Sequence, residues 1–259
     1  MATRQSRPPA VQQAYVLHHY DWSESSLILD LFTREQGRLA VVAKGAKRPY
    51  SQLRAVLLPF QRIQVTLSKP LKSPDGNDSG SEGVVTLRAA EWAGGSTMPA
   101  GAALFSGYYL NELLLKLLAR QDPQPLLFDL YAQTLPELHA AEDAQSQAAL
   151  RAFELRLLAE LGLLPDLSLA TLTQTPLQAG AGYAISPESG VMPGGELDGA
   201  TLVNLQAALL HGSLPALRQA CAPALPALRG QLRGLLQYHL AGKPLRTRQV
   251  MLDVQKLME

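Results

Sequence analysis

The stretch Arg34–Phe60 reads REQGRLAVVAKGAKRPYSQLRAVLLPF and decides how the rest of the chain is interpreted. A turn that ends at Gly37 leads into a short apolar strand, Leu39–Ala43, which runs out into the sequence KGAKRPYS. Gly45 permits a tight backbone turn, and Pro49 disfavours the helical conformation at the residue before it. The sequence therefore predicts a loop that displays three cations and one aromatic side chain, namely Lys44, Lys47, Arg48 and Tyr50.

This basic loop has two interpretations. Cations at the end of a strand neutralise phosphates, and a neighbouring aromatic ring offers a stacking surface for an unpaired base. A charged run is, however, more often only a solvated surface. The charge distribution favours the first interpretation, because residues 1–72 hold eleven Lys/Arg and four Asp/Glu (net +7), whereas residues 73–259 hold twelve and eighteen (net −6). This asymmetry predicts a polyanion-binding module followed by a scaffold.

Residues 11–92 show the alternation of apolar and polar side chains that is typical of β-strands. Both faces of the second predicted strand are partly apolar, as in a small closed barrel. The five predicted strands are Val11–Tyr20, Ser25–Thr33, Arg38–Ala43, Gln61–Ser68 and Gly83–Trp92. Residues 51–58 fit either a short helix or an extended segment, and residues 69–82 form a polar loop. Five strands with a basic loop after the third predict an OB-fold, although an SH3-like barrel would leave nearly the same pattern.

After Gly94 and Gly95 the apolar period changes to that of amphipathic helices. The predicted helices are Ala102–Arg120, Leu126–Ala140, Ala144–Leu161, Thr201–His211, Ala216–Ala220, Leu225–Ala241 and Thr247–Leu257. Residues 166–199 are rich in Gly, Pro, Ser and Thr, and we expect an irregular insertion there with a β-hairpin around Tyr183–Val191. The predicted fold class is α+β with two domains: a five-stranded OB-fold barrel over residues 1–95, and an α-helical domain with a loop-rich insertion over residues 96–259.

Motifs that the sequence lacks argue against several kinds of chemistry. It contains no Gly-Lys-Ser/Thr phosphate loop, no Gly-x-Gly-x-x-Gly and no Gly-x-Ser-x-Gly, which disfavours nucleotide hydrolysis, Rossmann cofactors and the commonest hydrolase elbow. Cys221 is the single cysteine, so neither a disulfide nor a multi-cysteine zinc site can form within the chain. The N-terminus resembles no signal peptide and no long uncharged apolar run occurs. We expect a cytoplasmic, nucleoid-associated protein that is not an enzyme and binds no cofactor or metal.

Four regions spread over almost the whole chain carry a family resemblance. They are AYVLHHYDWSESS at 14–26, DLFTREQGRL with KGAKR at 30–48, FELRLLAELGLLPD at 153–166, and LRTRQV at 245–250. In this order they resemble the RecO family of bacterial recombination mediators. The third region looks like the Phe-Glu-Leu-Arg-Leu-Leu helix of that family and the Pro-Asp-Leu exit that follows it.

The resemblance implies an N-terminal OB-fold, a helical C-terminal domain and a role in the recombinational repair of gaps and breaks. Proteins of this family bind single- and double-stranded DNA and anneal complementary strands without ATP. With RecR they load RecA onto DNA that is covered by single-strand-binding protein. The acidic, apolar-ended tail of single-strand-binding protein would suit a groove flanked by Lys116, Arg120 or Arg156.

One region departs from the family pattern. Many members carry a four-cysteine zinc element just after the Pro-Asp-Leu exit, but Leu167–Gly195 contains no cysteine. Ala170, Thr173 and the region of Gly194 stand roughly where such ligands would be. The insertion is then expected either to keep its hairpin through Tyr183, Ile185, Val191 and Met192 or to be an irregular loop.

The residues that we expect to contact DNA follow from the basic stretch and from the resemblance together. Seven cations would neutralise phosphates, and Tyr50 or Trp22 would stack on unpaired bases. The seven are Arg34, Arg38, Lys44, Lys47, Arg48, Arg54 and Arg62, of which the three in the basic loop are the firmest. Alternatively, some of these arginines pair with Asp21, Glu24, Asp30 or Glu35 instead, and Glu24 and Arg34 are the first candidates for such pairing.

Two other classes of function remain. An adaptor would bind protein partners through an apolar groove of the helical domain and would use the basic loop only against acidic tails. A metal-dependent nuclease on an OB-like barrel would need clustered carboxylates, whereas the basic stretch has only Glu35 nearby.

Overall fold

The computed structural model describes residues 11–68, 85–95, 98–139 and 143–258. The polar loop predicted at 69–82 lies outside these ranges. The chain divides into two compact units, of which the first contains Met1–Met98 with Leu113–Phe128 and the second contains Pro99–Glu112 with Asp129–Glu259. Below they are called the barrel unit and the helical unit.

Before residue 99, the described part of the barrel unit forms five strands and one short helix. They are β1 (Val11–Asp21), β2 (Leu27–Thr33), β3 (Gly37–Ala43), α1 (Leu53–Val56), β4 (Arg62–Leu67) and β5 (Val85–Trp92). The strands close into a barrel in the order β1-β2-β3-β5-β4, with β1 paired to β4 and with β3 and β5 parallel. This is the five-stranded OB-fold, so that prediction is confirmed and the SH3-like alternative is set aside.

The apolar alternation of the strands builds the interior of the barrel. Side chains two residues apart share a face of a strand, so Leu29 and Leu31 point inward together with Leu39 and Val41 of the next strand. The buried interior consists of Ala14, Val16, Leu29, Leu31, Leu39, Val41, Ala43, Ala46, Leu57, Ile63, Val65 and Leu87.

Leu113–Phe128, which we call the covering segment, explains why the second strand is apolar on both faces. The Phe128 ring lies 5.2 Å from the ring of Tyr15 and 5.5 Å from the ring of Phe32, and all three side chains are almost fully buried. Phe32 alternates with the inward Leu31 and so points out of the barrel. The outward apolar side chains of β1 and β2 therefore belong to a second core beneath this segment.

The helical unit takes up most of the remaining elements. They are α2 (Ala102–Leu117), α3 (Pro125–Glu137), α4 (Asp143–Glu160), α5 (Gly199–His211), α6 (Leu214–Cys221), α7 (Leu225–His239) and α8 (Arg246–Met258), and the C-terminal part of α2 and the start of α3 belong to the barrel unit. Helix α4 packs against α6 and α7 and is buried along most of its length. A helix that is buried nearly all round lies in the core, so α4 organises this unit.

The insertion after α4 consists of short paired strands. They are β6 (Leu169–Ala170), β7 (Thr175–Pro176), β8 (Gly182–Ser186), β9 (Gly190–Pro193) and β10 (Leu197–Asp198), with sheets β6-β7 and β10-β8-β9. The predicted hairpin around Tyr183–Val191 is confirmed as β8–β9.

The side chains of the insertion do not fit a four-cysteine zinc site. Thr171 instead joins its two parts: the Val191 backbone N–H donates to Thr171 Oγ1 over 2.8 Å, and the Thr171 backbone N–H donates to the Val191 carbonyl over 2.9 Å. Within the described ranges, no group of three or more His, Cys, Asp or Glu side chains is arranged to hold a metal ion. In the same part of the chain, no helix is both long enough and apolar enough to cross a membrane.

Candidate nucleic-acid interface

The outward side chains of β1, β2 and β3 form one surface, which we call the outer face. Cross-strand pairing arranges its residues in rows. The rows are Tyr15–Phe32–Arg38, His18–Asp30–Ala40 and Tyr20–Ile28–Val42. In OB-folds the outward side of strands 2 and 3, with the loop between strands 1 and 2, is the surface that binds oligonucleotides. The outer face is thus a candidate DNA-binding surface.

The covering segment occupies one end of the outer face. It buries the row of Tyr15 and Phe32, and the Gln121 backbone N–H donates to the Arg38 carbonyl over 2.9 Å. The Arg120 guanidinium lies 4.0 Å from the buried Asp30 carboxylate. The row of Tyr20, by contrast, is open to solvent, since Tyr20 is 49% exposed.

Arg38, a predicted phosphate contact, points toward the covering segment. Its guanidinium donates a hydrogen bond to the Leu115 carbonyl, and the side chain is only partly exposed. The C-terminal end of a helix carries unpaired carbonyls and partial negative charge, which a cation stabilises. In this structure Arg38 therefore holds the end of α2 on the barrel.

Tyr20 and Asp30 form a polar pair at the edge of the covered region. Partial burial raises the pKa of Tyr20 above its ordinary value, and the negative charge of Asp30 and a hydrogen bond to it raise that pKa further. The Tyr20 hydroxyl thus stays protonated and donates to the carboxylate, which fixes the ring on the outer face.

The basic loop, Lys44–Ser51, follows β3 as two consecutive turns. The Arg48 N–H donates to the Gly45 carbonyl over 3.2 Å, and the Ser51 N–H donates to the Arg48 carbonyl over 3.0 Å. Gly45 has a φ of +72°, which explains the glycine in the first turn. Lys44, Arg48 and Tyr50 are all exposed, and Tyr50 is 97% exposed. The loop therefore displays these three side chains to solvent.

Lys47 points back toward the barrel. Its Nζ lies 3.2 Å from an Asp21 carboxylate oxygen and donates to the Ser23 carbonyl over 3.1 Å. Its backbone N–H donates to the Ser25 carbonyl over 3.0 Å. Lys47 therefore fastens the basic loop to the loop between β1 and β2, which also carries Trp22.

Glu24 and Arg34, the first candidates for a pairing between an acid and an arginine, do not pair with each other. The backbone N–H of Arg34 donates to the Gln13 carbonyl, which places Arg34 at one end of the β1–β2 hairpin. Glu24 lies in the loop at the other end. The strand between these ends is about 26 Å long at about 3.3 Å per residue.

The eight predicted residues fall into separate places. Lys44, Lys47, Arg48 and Tyr50 lie together in the basic loop beside Trp22, and Arg54 follows on the exposed side of α1. Arg34 lies next to Gln13, and Arg62 pairs with Tyr15, at the far end of the barrel. Two cations that were not among the predicted DNA contacts, Arg88 on β5 and Arg120, are also exposed on the barrel unit.

The helical unit contains a second candidate site, a cavity of about 310 Å³ between α2, α4, α7 and the start of α8. Apolar side chains such as Phe105, Leu236 and Met251 form part of its wall. Its cations are Arg151, Arg229, Arg233, Lys243 and Arg248, and the residues that line it include no Asp or Glu. A cavity of this kind suits an anionic ligand with an apolar part. Sequence analysis missed it because its cations are spread over the acidic part of the chain.

A buried carboxylate supports the floor of this cavity. Glu154 is fully buried, accepts a hydrogen bond from the Tyr109 hydroxyl over 2.6 Å, and lies 3.0 Å from the Arg151 guanidinium. Burial raises the pKa of Glu154, and the nearby Arg151 charge and the Tyr109 hydrogen bond only partly offset this effect. Burial, followed by the Glu154 charge, raises the pKa of Tyr109 well above its ordinary value.

Burial also raises the pKa of the Cys221 thiol to about 12, so Cys221 is an unreactive core residue.

Glu112 fixes the start of α8, which forms one wall of the cavity. Its carboxylate accepts hydrogen bonds from the Arg246 N–H (2.8 Å), the Thr247 N–H (3.0 Å) and the Thr247 hydroxyl (2.7 Å). A carboxylate is stabilising at a helix N-terminus because the unpaired N–H groups there carry partial positive charge. This contact sets the position from which Arg248 lines the cavity.

Comparison with known proteins agrees with both halves of the fold. Residues 9–74 match the model of the recombination protein O N-terminal domain, and residues 98–249 match that of its C-terminal domain. The chain is 51% identical to the DNA repair protein RecO of Variovorax paradoxus (strain S110) over 259 residues, which cover 95% of this chain and 96% of the relative. It is 48% identical to the RecO of Acidovorax ebreus (strain TPSY) over 267 residues, which cover 97% and 99% of the two chains. The chain belongs to the RecO family of DNA repair and recombination proteins.

Proposed function

We propose that this protein is a DNA-binding recombination mediator that binds single- and double-stranded DNA and anneals complementary strands without ATP. With RecR it would help to load RecA onto DNA that is covered by single-strand-binding protein. The observation that carries the DNA-binding part is the cluster of Lys44, Arg48 and Tyr50, displayed beside the open end of the outer face of an OB-fold. Membership of a DNA repair family supports the rest.

The proposed mechanism is electrostatic and needs no bond-making residue. Each phosphate contact releases condensed counterions, so affinity falls steeply with salt and depends little on base sequence. When cations neutralise two strands at the same time, the repulsion between those strands is lowered and complementary bases can pair. We propose on this basis that the protein is not an enzyme and acts without a cofactor, in the cytoplasm, where the chromosome lies.

The salt dependence of binding tests this mechanism. We expect fluorescence anisotropy with a mixed-sequence single-stranded oligonucleotide to give a log–log slope of about −2 to −5. In Lys44→Ala/Arg48→Ala the slope should be shallower by about 1.4, because each phosphate contact on a single strand contributes about 0.7. Lys47→Ala should change the slope less, since Lys47 already pairs with Asp21 in the free protein.

The matched control is Arg246→Ala/Lys256→Ala, which removes the same charge from exposed positions of α8. This control should keep the slope of the wild-type protein. Equal slopes for all variants would place the DNA site elsewhere and would contradict the proposed role of the basic loop.

A second proposed function is the binding of the acidic, apolar-ended tail of single-strand-binding protein. The cavity of the helical unit favours it, because that cavity combines apolar walls with the exposed cations Arg229, Arg233, Lys243 and Arg248. Of the cations that the sequence suggested for this role, Arg156 is held by Glu160 at 2.8 Å and by the Leu209 carbonyl at 2.7 Å. We therefore assign the tail to this cavity and not to a groove beside Arg156.

A labelled acidic peptide that ends in apolar residues and a free carboxylate tests the assignment. Arg233→Ala/Lys243→Ala should weaken its binding about tenfold, because two charge-assisted contacts together supply about 1.4 kcal/mol or more. Arg246→Ala/Lys256→Ala again serves as the control and should bind like the wild-type protein. Unchanged affinity in Arg233→Ala/Lys243→Ala would show that the peptide binds outside the cavity.

A further inference from the structure

A β-bulge decides which side chains of β1 reach the outer face. Up to Val16 the pairing with β2 is regular, with Val16 opposite Leu31, but the next pair is His18 with Asp30, so Leu17 is the additional residue. A bulge of this kind shifts the alternation of a strand by one residue. Tyr15 points outward before the bulge, and His18 and Tyr20 point outward after it, opposite Asp30 and Ile28. Without the bulge, Leu17 and His19 would stand opposite Asp30 and Ile28, and His18 and Tyr20 would point inward.

The result is a row of aromatic rings at the open end of the outer face. The His18 and Tyr20 rings meet edge to face with their centroids 4.5 Å apart. Trp22 continues the row in the loop after β1 and is 64% exposed. Ile28 and Val42 lie half-buried beside Tyr20 and complete an apolar surface. Tyr20 and Trp22 thus leave a large part of their aromatic surface open to a ligand.

Contacts within the barrel unit position the row. Side-chain contacts hold His18 and Tyr20, and hydrogen bonds hold the loop that carries Trp22. The Tyr20 hydroxyl donates a hydrogen bond to the Asp30 carboxylate, and the His18 ring packs edge to face against the Tyr20 ring. The backbone N–H of Trp22 donates to the Ser26 carbonyl over 3.2 Å. Lys47 holds the same loop through its contacts with the Asp21 carboxylate and the Ser23 carbonyl. Rings that are positioned before binding lose little conformational entropy on binding.

Cations border the row. Lys44 follows Val42 on the outward side of β3 and is exposed, and Arg48 is exposed in the basic loop. The Arg120 side chain is 44% exposed beside Asp30. A polyanion backbone that follows Lys44 and Arg48 would hold its bases next to Tyr20 and Trp22, which is the arrangement of single-strand binding sites.

We infer that His18, Tyr20 and Trp22 form a stacking platform for unpaired nucleobases of single-stranded nucleic acid. This inference rests on the proposed DNA-binding function and deepens it, because it assigns the surface that distinguishes single strands from duplexes. The bases of a duplex are stacked on one another and cannot lie on the platform. Single strands therefore use both the platform and the cations, whereas duplexes use the cations alone.

Two tryptophans with nearly equal exposure make the inference directly testable. Trp92 on β5 is 65% exposed, and its indole N–H donates to Gln61 Oε1 over 3.1 Å. Trp92→Phe leaves Trp22 as the only tryptophan, and Trp22→Phe leaves Trp92 as the only one. A single-stranded oligonucleotide should strongly quench the fluorescence of Trp92→Phe and leave that of Trp22→Phe almost unchanged. The reverse pattern, or equal quenching, would overturn the inference.

Affinities for single and double strands give the second measurement. Tyr20→Ala/Trp22→Ala should bind a mixed-sequence single strand about 30-fold more weakly or worse, because each of the two rings supplies about 1–3 kcal/mol of stacking. Its affinity for a duplex of the same sequence should stay within about twofold of wild type, since phosphate contacts dominate duplex binding. Trp92→Ala is the control and should keep both affinities. An equal loss for single strands and duplexes would contradict the platform.

The outcomes separate this inference from the function on which it rests. If the wild-type protein bound neither single strands nor duplexes, the proposed DNA-binding function would fail and the platform with it. If the protein bound DNA with the expected salt dependence while Trp22 stayed unquenched and Tyr20→Ala/Trp22→Ala bound single strands normally, only the platform would fail.

Discussion

Gly37→Ala is expected to destabilise the barrel unit by about 3 kcal/mol or more, because the added methyl group brings both backbone strain and steric overlap. Gly37 has a φ of +69°, which an L side chain adopts only with strain. A Cβ atom at this position would also overlap the backbone carbonyl of Asp122 in the covering segment. Because backbone atoms on both sides are held by hydrogen bonds such as that from Gln121 to Arg38, neither side can move away without loss.

Gly45→Ala is the matched control for this prediction. Gly45 has nearly the same φ, +72°, but a Cβ there would meet only the Arg48 side chain at ordinary contact distance. Its loss should be about 1–2 kcal/mol, the cost of the left-handed backbone alone. Urea unfolding of both variants separates strain from overlap. We expect Gly37→Ala to be the less stable variant. Equal stability of the two variants would contradict the close approach of the covering segment to β3.

Arg151→Met is expected to destabilise the helical unit by about 3–5 kcal/mol at neutral pH, because it leaves a buried carboxylate without its cation. Glu154 is fully buried, and Arg151 lies 3.0 Å from it. Methionine retains most of the volume of the arginine stem, so the loss of charge dominates over the loss of packing. Denaturant unfolding of the variant and of the wild-type protein measures the difference.

The pH dependence of this loss identifies its cause. Burial already holds the pKa of Glu154 above its unfolded value, and removal of Arg151 raises it further. A carboxyl group whose pKa is higher in the folded than in the unfolded protein stabilises the folded state at pH values below the unfolded pKa. This contribution is lost as the pH rises through the folded pKa. The destabilisation of Arg151→Met should thus be smaller near pH 4.5 than at pH 7. In Arg151→Met/Glu154→Leu the destabilisation relative to wild type should no longer differ between the two pH values. If Arg151→Met itself lost the same stability at both pH values, the ion-pair explanation would be contradicted.

Local patterns determined the architecture of the barrel and of the helices. The alternation of Leu29 and Leu31 with Asp30 and Phe32 depends only on neighbouring residues in one strand, so it predicts a strand without knowledge of its partners. The same is true of the basic loop, whose exposed Lys44, Arg48 and Tyr50 follow from a strand end, a glycine and a proline. Five strands alone fitted an OB-fold and an SH3-like barrel, and the resemblance to the RecO family favoured the OB-fold.

Contacts between distant residues decided the composition of the candidate sites. Arg38 is 77 residues from Leu115, whose carbonyl it binds, and Lys47 is 24 residues from Ser23. In the sequence these two cations look the same as Lys44, yet the structure turns one toward the covering segment and the other toward the loop of Trp22. In the same way, Arg151, Lys243 and Arg248 are distant in sequence but line one cavity of the helical unit.

The sequence by itself thus determined the fold class, the order of the elements, the family and the exposed part of the basic loop. Only the tertiary structure decided which cations face solvent, where the outer face is open, and that Tyr20 joins Trp22 on it. The physical reason is that the period of a strand or helix reflects interactions over a few residues. The partner of a charged group, or the effect of one extra residue at Leu17, depends on how the chain packs against itself at long range.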